Sequence, residues 1–137
     1  MGANRQSDAV PVGFIDHEGC RILVMDFARL KDTPAILARI AEARAFVARL
    51  PRKKDLLTLV DLSRIRFNEA MLSAFRELNK HDEPWQRAIA VCGLTGLGAT
   101  VFRAQNLLMT NPMRGFADRS EALTWLAQEE LQSGTVR

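Results

Sequence analysis

Four residue types in this chain could carry covalent or metal chemistry: the cysteines Cys20 and Cys92, the histidines His17 and His81, the carboxylates Asp61 and Asp82, and Ser63 just beyond Asp61. A serine or cysteine nucleophile needs a base within hydrogen-bond reach and a third group that orients the base. His81 with Asp61 or Asp82 could in principle serve Ser63 or Cys92. The local patterns argue otherwise. Cys92 falls inside the apolar run Arg-Ala-Ile-Ala-Val-Cys-Gly at 87–93, where a thiol is a small buried hydrophobe. His81 closes a helical stretch, where a donor side chain serves the last carbonyls. No nucleophile elbow and no acid pair can be read. The two cysteines stand far apart without a C-x-x-C spacing, so neither a zinc site nor a disulfide framework is expected. The sequence therefore predicts no catalytic residue, no metal and no cofactor, and a protein that is not an enzyme.

A second kind of chemistry is anion binding. Gly93-Leu94-Thr95-Gly96-Leu97-Gly98 leads from an apolar run into a helical one. Small residues at a helix start expose backbone N–H groups that can hold phosphate or carboxylate. Thr95, Gly96, Gly98 and Arg103 form the candidate anion site. The stretch lacks the Lys-Ser/Thr of a P-loop and the spacing of a dinucleotide fingerprint, and a strand-to-helix turn capped by Thr95 accounts for it equally.

Charge excludes more than it suggests. Net charge is +3, from 19 Lys and Arg against 16 Asp and Glu. The cations are interleaved with acids, and Pro51-Arg52-Lys53-Lys54 alone forms a cluster, placed where it complements a helix C-terminus. Phosphate tracking wants a basic stripe with stacking aromatics, and the chain has no Tyr. No nucleic-acid partner is expected. No apolar run approaches the roughly 20 residues of a membrane span, and the first residues lack the apolar core of a signal peptide. The expected location is cytoplasmic.

The elements that must position these residues alternate along the chain. Apolar runs at 12–16 and 20–27 flank His17-Glu18-Gly19, a hairpin turn in which Gly permits positive φ. Thr33 is expected to cap a helix over about 35–50, with Pro34 at its first position and Ile36, Ile40, Ala43, Val47 and Leu50 on one stripe. Residues 56–61 form a continuous apolar run, the mark of a strand covered on both faces. Asn68 caps the next helix, whose stripe includes Met71, Leu72, Phe75 and Leu78 and which ends near Lys80-His81. A strand at 87–93, a helix at about 97–109 and a short strand at 113–117 follow. Asp118 and Glu121 have capping-box spacing before a last helix carrying Leu123, Trp125, Leu126 and Leu131. The fold class is α/β: a mixed, mostly parallel sheet with four helices, in the order β-β-α-β-α-β-α-β-α. Residues 11–131 read as one domain, with mobile tails at 1–10 and 132–137.

Three motifs in this order resemble the SpoIIAA-like branch of the STAS superfamily, the fold of bacterial anti-sigma factor antagonists. They are LTLVDLSRIRFN at 57–68, KHDEPWQRAIAVCGLTGL at 80–97 and FADRSEALTWLAQ at 116–128. The resemblance spans about 14–130, and many members of this branch have no assigned activity. It implies that the tip before the second helix corresponds to an Asp-Ser-Ser-Gly tip whose second Ser is a phosphorylation switch for binding an anti-sigma kinase. Here Asn68 stands at the Asp, Glu69 at the first Ser and Ala70 at the acceptor, and a methyl group takes no phosphate. The expected function is a non-enzymatic protein-interaction module that lacks the phosphoacceptor serine. Its candidate docking residues are Arg66, Asn68, Glu69, Met71 and Leu72. The partner is an unknown protein, and the free sheet edge admits a homodimer. The alternative is a small-ligand domain for lipid, acyl or phosphate-containing groups, since the fold is grouped loosely with lipid-transfer domains. That reading requires an apolar cavity of about 300 Å³ or more.

Overall fold

The computed structural model describes residues 11–28, 30–94 and 113–135, with 132–135 described by backbone alone. Strands β1 (Val12–His17) and β2 (Cys20–Asp26) form an antiparallel hairpin at one edge. Strands β3 (Leu56–Asp61), β4 (Gln86–Cys92) and β5 (Met113–Phe116) add to it in parallel, giving one sheet in the order β1-β2-β3-β4-β5. Helix α1 (Thr33–Ala48) joins β2 to β3, α2 (Glu69–Asp82) joins β3 to β4, and α3 (Arg119–Thr135) follows β5. The α/β class and the mixed sheet are as expected, with three helices described. The helix expected at 97–109 lies outside the described residues, as does the segment 1–10. At the other end α3 continues to Thr135, into the stretch read from sequence as a tail.

The hairpin turn is tighter than the sequence suggests. His17 pairs with Cys20, leaving only Glu18 and Gly19 as the loop, at φ 51° and 81°. Positive φ at both positions is what a two-residue turn needs to match the twist of its strands. Nothing lies within 4 Å of a Cβ placed at Gly19, so this glycine answers to backbone conformation alone.

Side chains alternate across the sheet and divide the core. Leu57 and Leu59 join Ile22, Val24, Ala88 and Ala90 on the face covered by α3. Leu23, Met25, Ile89 and Val91 face α1 and α2, where they meet Ile36, Ala43, Met71 and Phe75. Because the strand period is two, a one-residue slip of β3 would exchange the side chains facing the two layers and disrupt the packing of both. Phe75 ties the second layer together, meeting Phe27 edge-on at 4.9 Å and Phe67 at 6.2 Å between ring centroids.

Two helix ends differ from expectation. The cap of α1 is Asp32 rather than Thr33: its carboxylate accepts the Ala35 N–H at 2.9 Å. Either residue type can cap, and the choice of Asp32 leaves the Thr33 hydroxyl available to a neighbouring element. In α3 the buried positions are Ala122, Leu123, Leu126 and Ala127, while Leu131 is 67% exposed. Small side chains let this helix approach the alanines of β4 closely. Asp118 caps α3 as read from the sequence, accepting the Glu121 N–H at 2.9 Å.

Candidate functional site

The C-terminal ends of the parallel strands collect the starts of all three described helices. At the end of β3, the Asp61 carboxylate turns back to accept both the Ser63 N–H (3.0 Å) and the Ser63 hydroxyl (2.6 Å). Such a turn arrests the strand and opens the loop. Arg64 follows at φ 65°, a left-handed conformation that costs a non-glycine residue about 1 kcal/mol or more. From there the loop alternates: Ile65 and Phe67 pack onto the core, while Arg64, Arg66 and Asn68 are exposed. Asn68 closes it. Its side-chain oxygen accepts the Met71 N–H at 2.9 Å, and its amide nitrogen donates to the Thr33 hydroxyl at 2.8 Å. One side chain thus caps α2 and fastens it to the first turn of α1.

The five candidate docking residues separate in space. Arg66, Asn68 and Glu69 are exposed at this tip, together with Ala70. Met71 is 4% exposed and belongs to the core. Leu72 is half-buried and lines a cavity beneath α2. The helical stripe that marks Met71 and Leu72 in the sequence is the inward face, so those two positions support the tip from below. Arg64 is the exposed loop cation that pattern reading passed over, since nothing in its identity signals positive φ. Of the candidate anion site, Thr95, Gly96, Gly98 and Arg103 lie outside the described residues.

The residues weighed for catalysis are committed elsewhere. Arg119, at the start of α3, lies between two carboxylates, 3.7 Å from Asp61 and 3.9 Å from Asp26. These long, partly solvated pairs orient α3 more than they stabilise it. Cys92 is fully buried at the neighbouring register position, and burial, reinforced by the Asp61 charge, pushes its thiol up to about 12. At neutral pH it is a thiol and not a nucleophile. Burial also raises Cys20, with Glu130 and Glu18 adding to the effect. Among the described residues no group of three or more potential ligands could hold a metal ion, and no helix is long and apolar enough to cross a membrane.

Asp82, weighed in the sequence only as a partner for His81, is a buried carboxyl that sequence reading did not place in the core. Helix α2 continues one residue past His81, which places Asp82 on the inward stripe after Met71, Phe75 and Leu78, 2% exposed. The spacing was legible, but a charged residue is rarely assigned to a core face. The Thr58 hydroxyl donates to the Gln86 side-chain oxygen at 2.7 Å, which leaves the Gln86 amide for Asp82. His81 Nδ1 stands 2.7 Å from Asp82 Oδ1, and its ring stacks on Trp85 at 5.2 Å. Burial pushes the Asp82 carboxyl up to about 6, against the opposing pull of His81, Arg44 and Gln86.

That shift has a definite sign. A carboxyl whose folded value exceeds its unfolded value favours the fold fully below the unfolded value, and this advantage is lost as pH rises through about 6. Wild type should therefore lose about 2–3 kcal/mol relative to Asp82→Asn between pH 4 and pH 7.5. Urea denaturation of both proteins at the two pH values checks it, and a pH-independent difference between them would show that folding does not shift the Asp82 carboxyl.

The cavity beneath α2 is lined by Met25, Val60, Leu72, Phe75 and Ile89, with Thr58, Asn79, Asp82 and Gln86 at its polar end. Its volume, about 50 Å³, holds one or two water molecules. An acyl chain or lipid does not fit the space bounded by the described residues.

No family model matches this chain, and no curated protein does. Solved structures do. An uncharacterised protein of the DUF3478 family with a SpoIIAA-like fold, from Shewanella loihica PV-4, superposes with a TM-score of 0.65 over 84% of this chain and 91% of its own, at 16% identity. An anti-sigma-factor antagonist (STAS) domain protein from Planctomyces limnophilus superposes with a TM-score of 0.54 over 85% and 97%, also at 16% identity. The fold of this chain is therefore SpoIIAA-like, that of the STAS domains, as its three motifs implied. At this identity the likeness extends to the fold alone.

Proposed function

We propose that this protein is a non-enzymatic docking domain whose contact surface is the β3–α2 tip, formed by Arg64, Arg66, Asn68, Glu69 and Ala70. The observation that carries this reading is the alternation at the tip. Its polar side chains are displayed in a fixed row because Ile65 and Phe67 anchor the backbone from below and Asn68 ties it to Thr33. A pre-ordered loop loses little conformational freedom on binding, which favours recognition of another protein. Ala70 leaves no hydroxyl at the position where the resembling antagonists are switched by phosphorylation, so this surface is constitutively available. Acid–base catalysis finds no support in the same region, where Ser63 and Asp61 are bonded to each other and Asp61 is paired with Arg119.

A photo-crosslinking residue placed at Arg66 should give a specific adduct with a host protein, while the same residue at Arg76, on the exposed side of α2, should not. Arg66→Glu should abolish the adduct made from a probe at Glu69 and leave circular dichroism and thermal stability unchanged. Retention of that adduct in a natively folded Arg66→Glu protein would exclude this surface.

A further inference from the structure

The opposite end of the sheet, where the parallel strands begin, holds a feature that the docking reading does not use. A pocket of about 140 Å³ is lined by Arg21, Leu50, Pro51, Lys53, Asp55, Leu56 and Trp85. Its floor is rigid. The Trp85 indole N–H donates to the Leu50 carbonyl at 3.0 Å, which fixes the ring against the end of α1. Its rim is shaped by two successive tight turns, with Lys53 N–H bonded to the Pro51 carbonyl and Asp55 N–H to the Lys53 carbonyl, both at 2.8 Å.

The cations here are placed unusually. The Arg21 guanidinium lies 4.0 Å from the Phe14 ring centroid and that of Arg52 lies 5.1 Å from Trp85, and neither they nor Lys53 form an ion pair with a carboxylate among the described residues. Stacking on a ring holds a guanidinium in place while its N–H fork stays available to an oxyanion. At the end of α1 the carbonyls of Phe46 and Val47 accept the N–H groups of Arg49 and Leu50, and that of Leu50 accepts from Trp85. One carboxylate, Asp55, faces the same space and would oppose a bare anion unless the ligand also brings a donor.

We propose that this pocket binds a phosphate monoester bearing a neighbouring hydroxyl, with Arg21 and Lys53 taking the phosphate, Leu50 and Trp85 packing the carbon skeleton, and Asp55 accepting from the hydroxyl. The volume corresponds to roughly four or five water molecules, which suits a compact ester. The same chemistry is offered by a soluble ester and by a lipid phosphomonoester headgroup that keeps a free glycerol hydroxyl.

Titration of the full chain with glycerol 3-phosphate, followed by amide and indole N–H resonances, tests this. The Trp85 indole signal should shift saturably while that of Trp125, on the other face of the sheet, stays in place. Arg21→Gln combined with Lys53→Gln should weaken binding about tenfold or more, and Arg66→Gln should have no effect. If only phosphatidylcholine vesicles containing lysophosphatidic acid, which keeps a free glycerol hydroxyl, bind, and the same double variant abolishes it, the site stands with a lipid headgroup as its source. No saturable response to either probe, an equal response to sodium chloride at matched ionic strength, or equal binding by the double variant would each overturn it.

Discussion

Met71→Asp is expected to unfold the protein at neutral pH and not merely to alter a surface. Met71 is 4% exposed and packs with Phe75 and Leu78 between α2 and the sheet. Truncating a buried methionine costs about 2–5 kcal/mol. A carboxylate left without a partner in the same place adds several more unless it is protonated. The sum is comparable to the whole stability of a domain this size, about 5–15 kcal/mol. Met71→Leu, which conserves volume and polarity, should lose less than about 1.5 kcal/mol. Far-ultraviolet circular dichroism and urea denaturation of the two variants separate these outcomes. A Met71→Asp protein with a native spectrum and an unchanged midpoint would place Met71 on the surface, contrary to the packing described. Loss of a partner in this variant would say nothing about docking, which is why the docking tests fall on Arg66 and Glu69.

Gly93→Ala should carry the next largest penalty, about 2–4 kcal/mol, from two independent causes. The backbone at Gly93 has φ 87°, where any L-residue with a Cβ is strained. In addition, a Cβ there would stand 2.6 Å from Ser63 Cα and 2.7 Å from Ser63 N. Those are backbone atoms, so no side-chain rotation relieves the contact, and the start of the β3–α2 loop must move. Ser63→Ala in the same chain removes the hydroxyl but not the backbone clash, so the double variant should recover little of the loss. Gly19→Ala is the control: its φ is 81° but its surroundings are empty, and it should cost only about 1 kcal/mol. Chemical denaturation gives the ranking. Equal losses at Gly19 and Gly93 would mean that backbone strain alone matters and that the close approach to Ser63 is unimportant. Because Gly93 touches the loop that leads to Arg64 and Arg66, Gly93→Ala should also speed amide hydrogen exchange there.

Elements whose stability arises within one short segment were legible from the amino acids. The hairpin followed from Gly19 between two apolar runs, and the caps at Asn68 and Asp118 followed from side chains that reach a backbone N–H three residues ahead. The buried run at 56–61 followed from its lack of alternation, because both of its faces are covered. Where two local solutions were nearly equal in energy, packing chose. Asp32 took the cap of α1 from Thr33, and the Thr33 hydroxyl became a partner for Asn68 from another element.

The candidate site divides along the same line. The resemblance carried by the three motifs pointed to the segment 62–72 and implied a tip without a phosphoacceptor. Periodicity identified Met71 and Leu72 as an apolar stripe but could not tell an exposed stripe from one facing the core, since both have the same period. Only the packing of α2 against the sheet turned Met71 inward and left Arg64, Arg66, Asn68 and Glu69 outside. Asp82 and Arg119 belong to the same class of decision. The burial of Asp82 depends on Gln86 and Thr58 from adjacent strands, and Arg119 meets Asp26 and Asp61 because β2 and β3 end in register. The amino acids by themselves determined where strands and turns fall and two of the three caps, because those depend on neighbours a few residues apart. Tertiary structure alone decided which side chains are surface and which are support, because that depends on what the other layer brings against them.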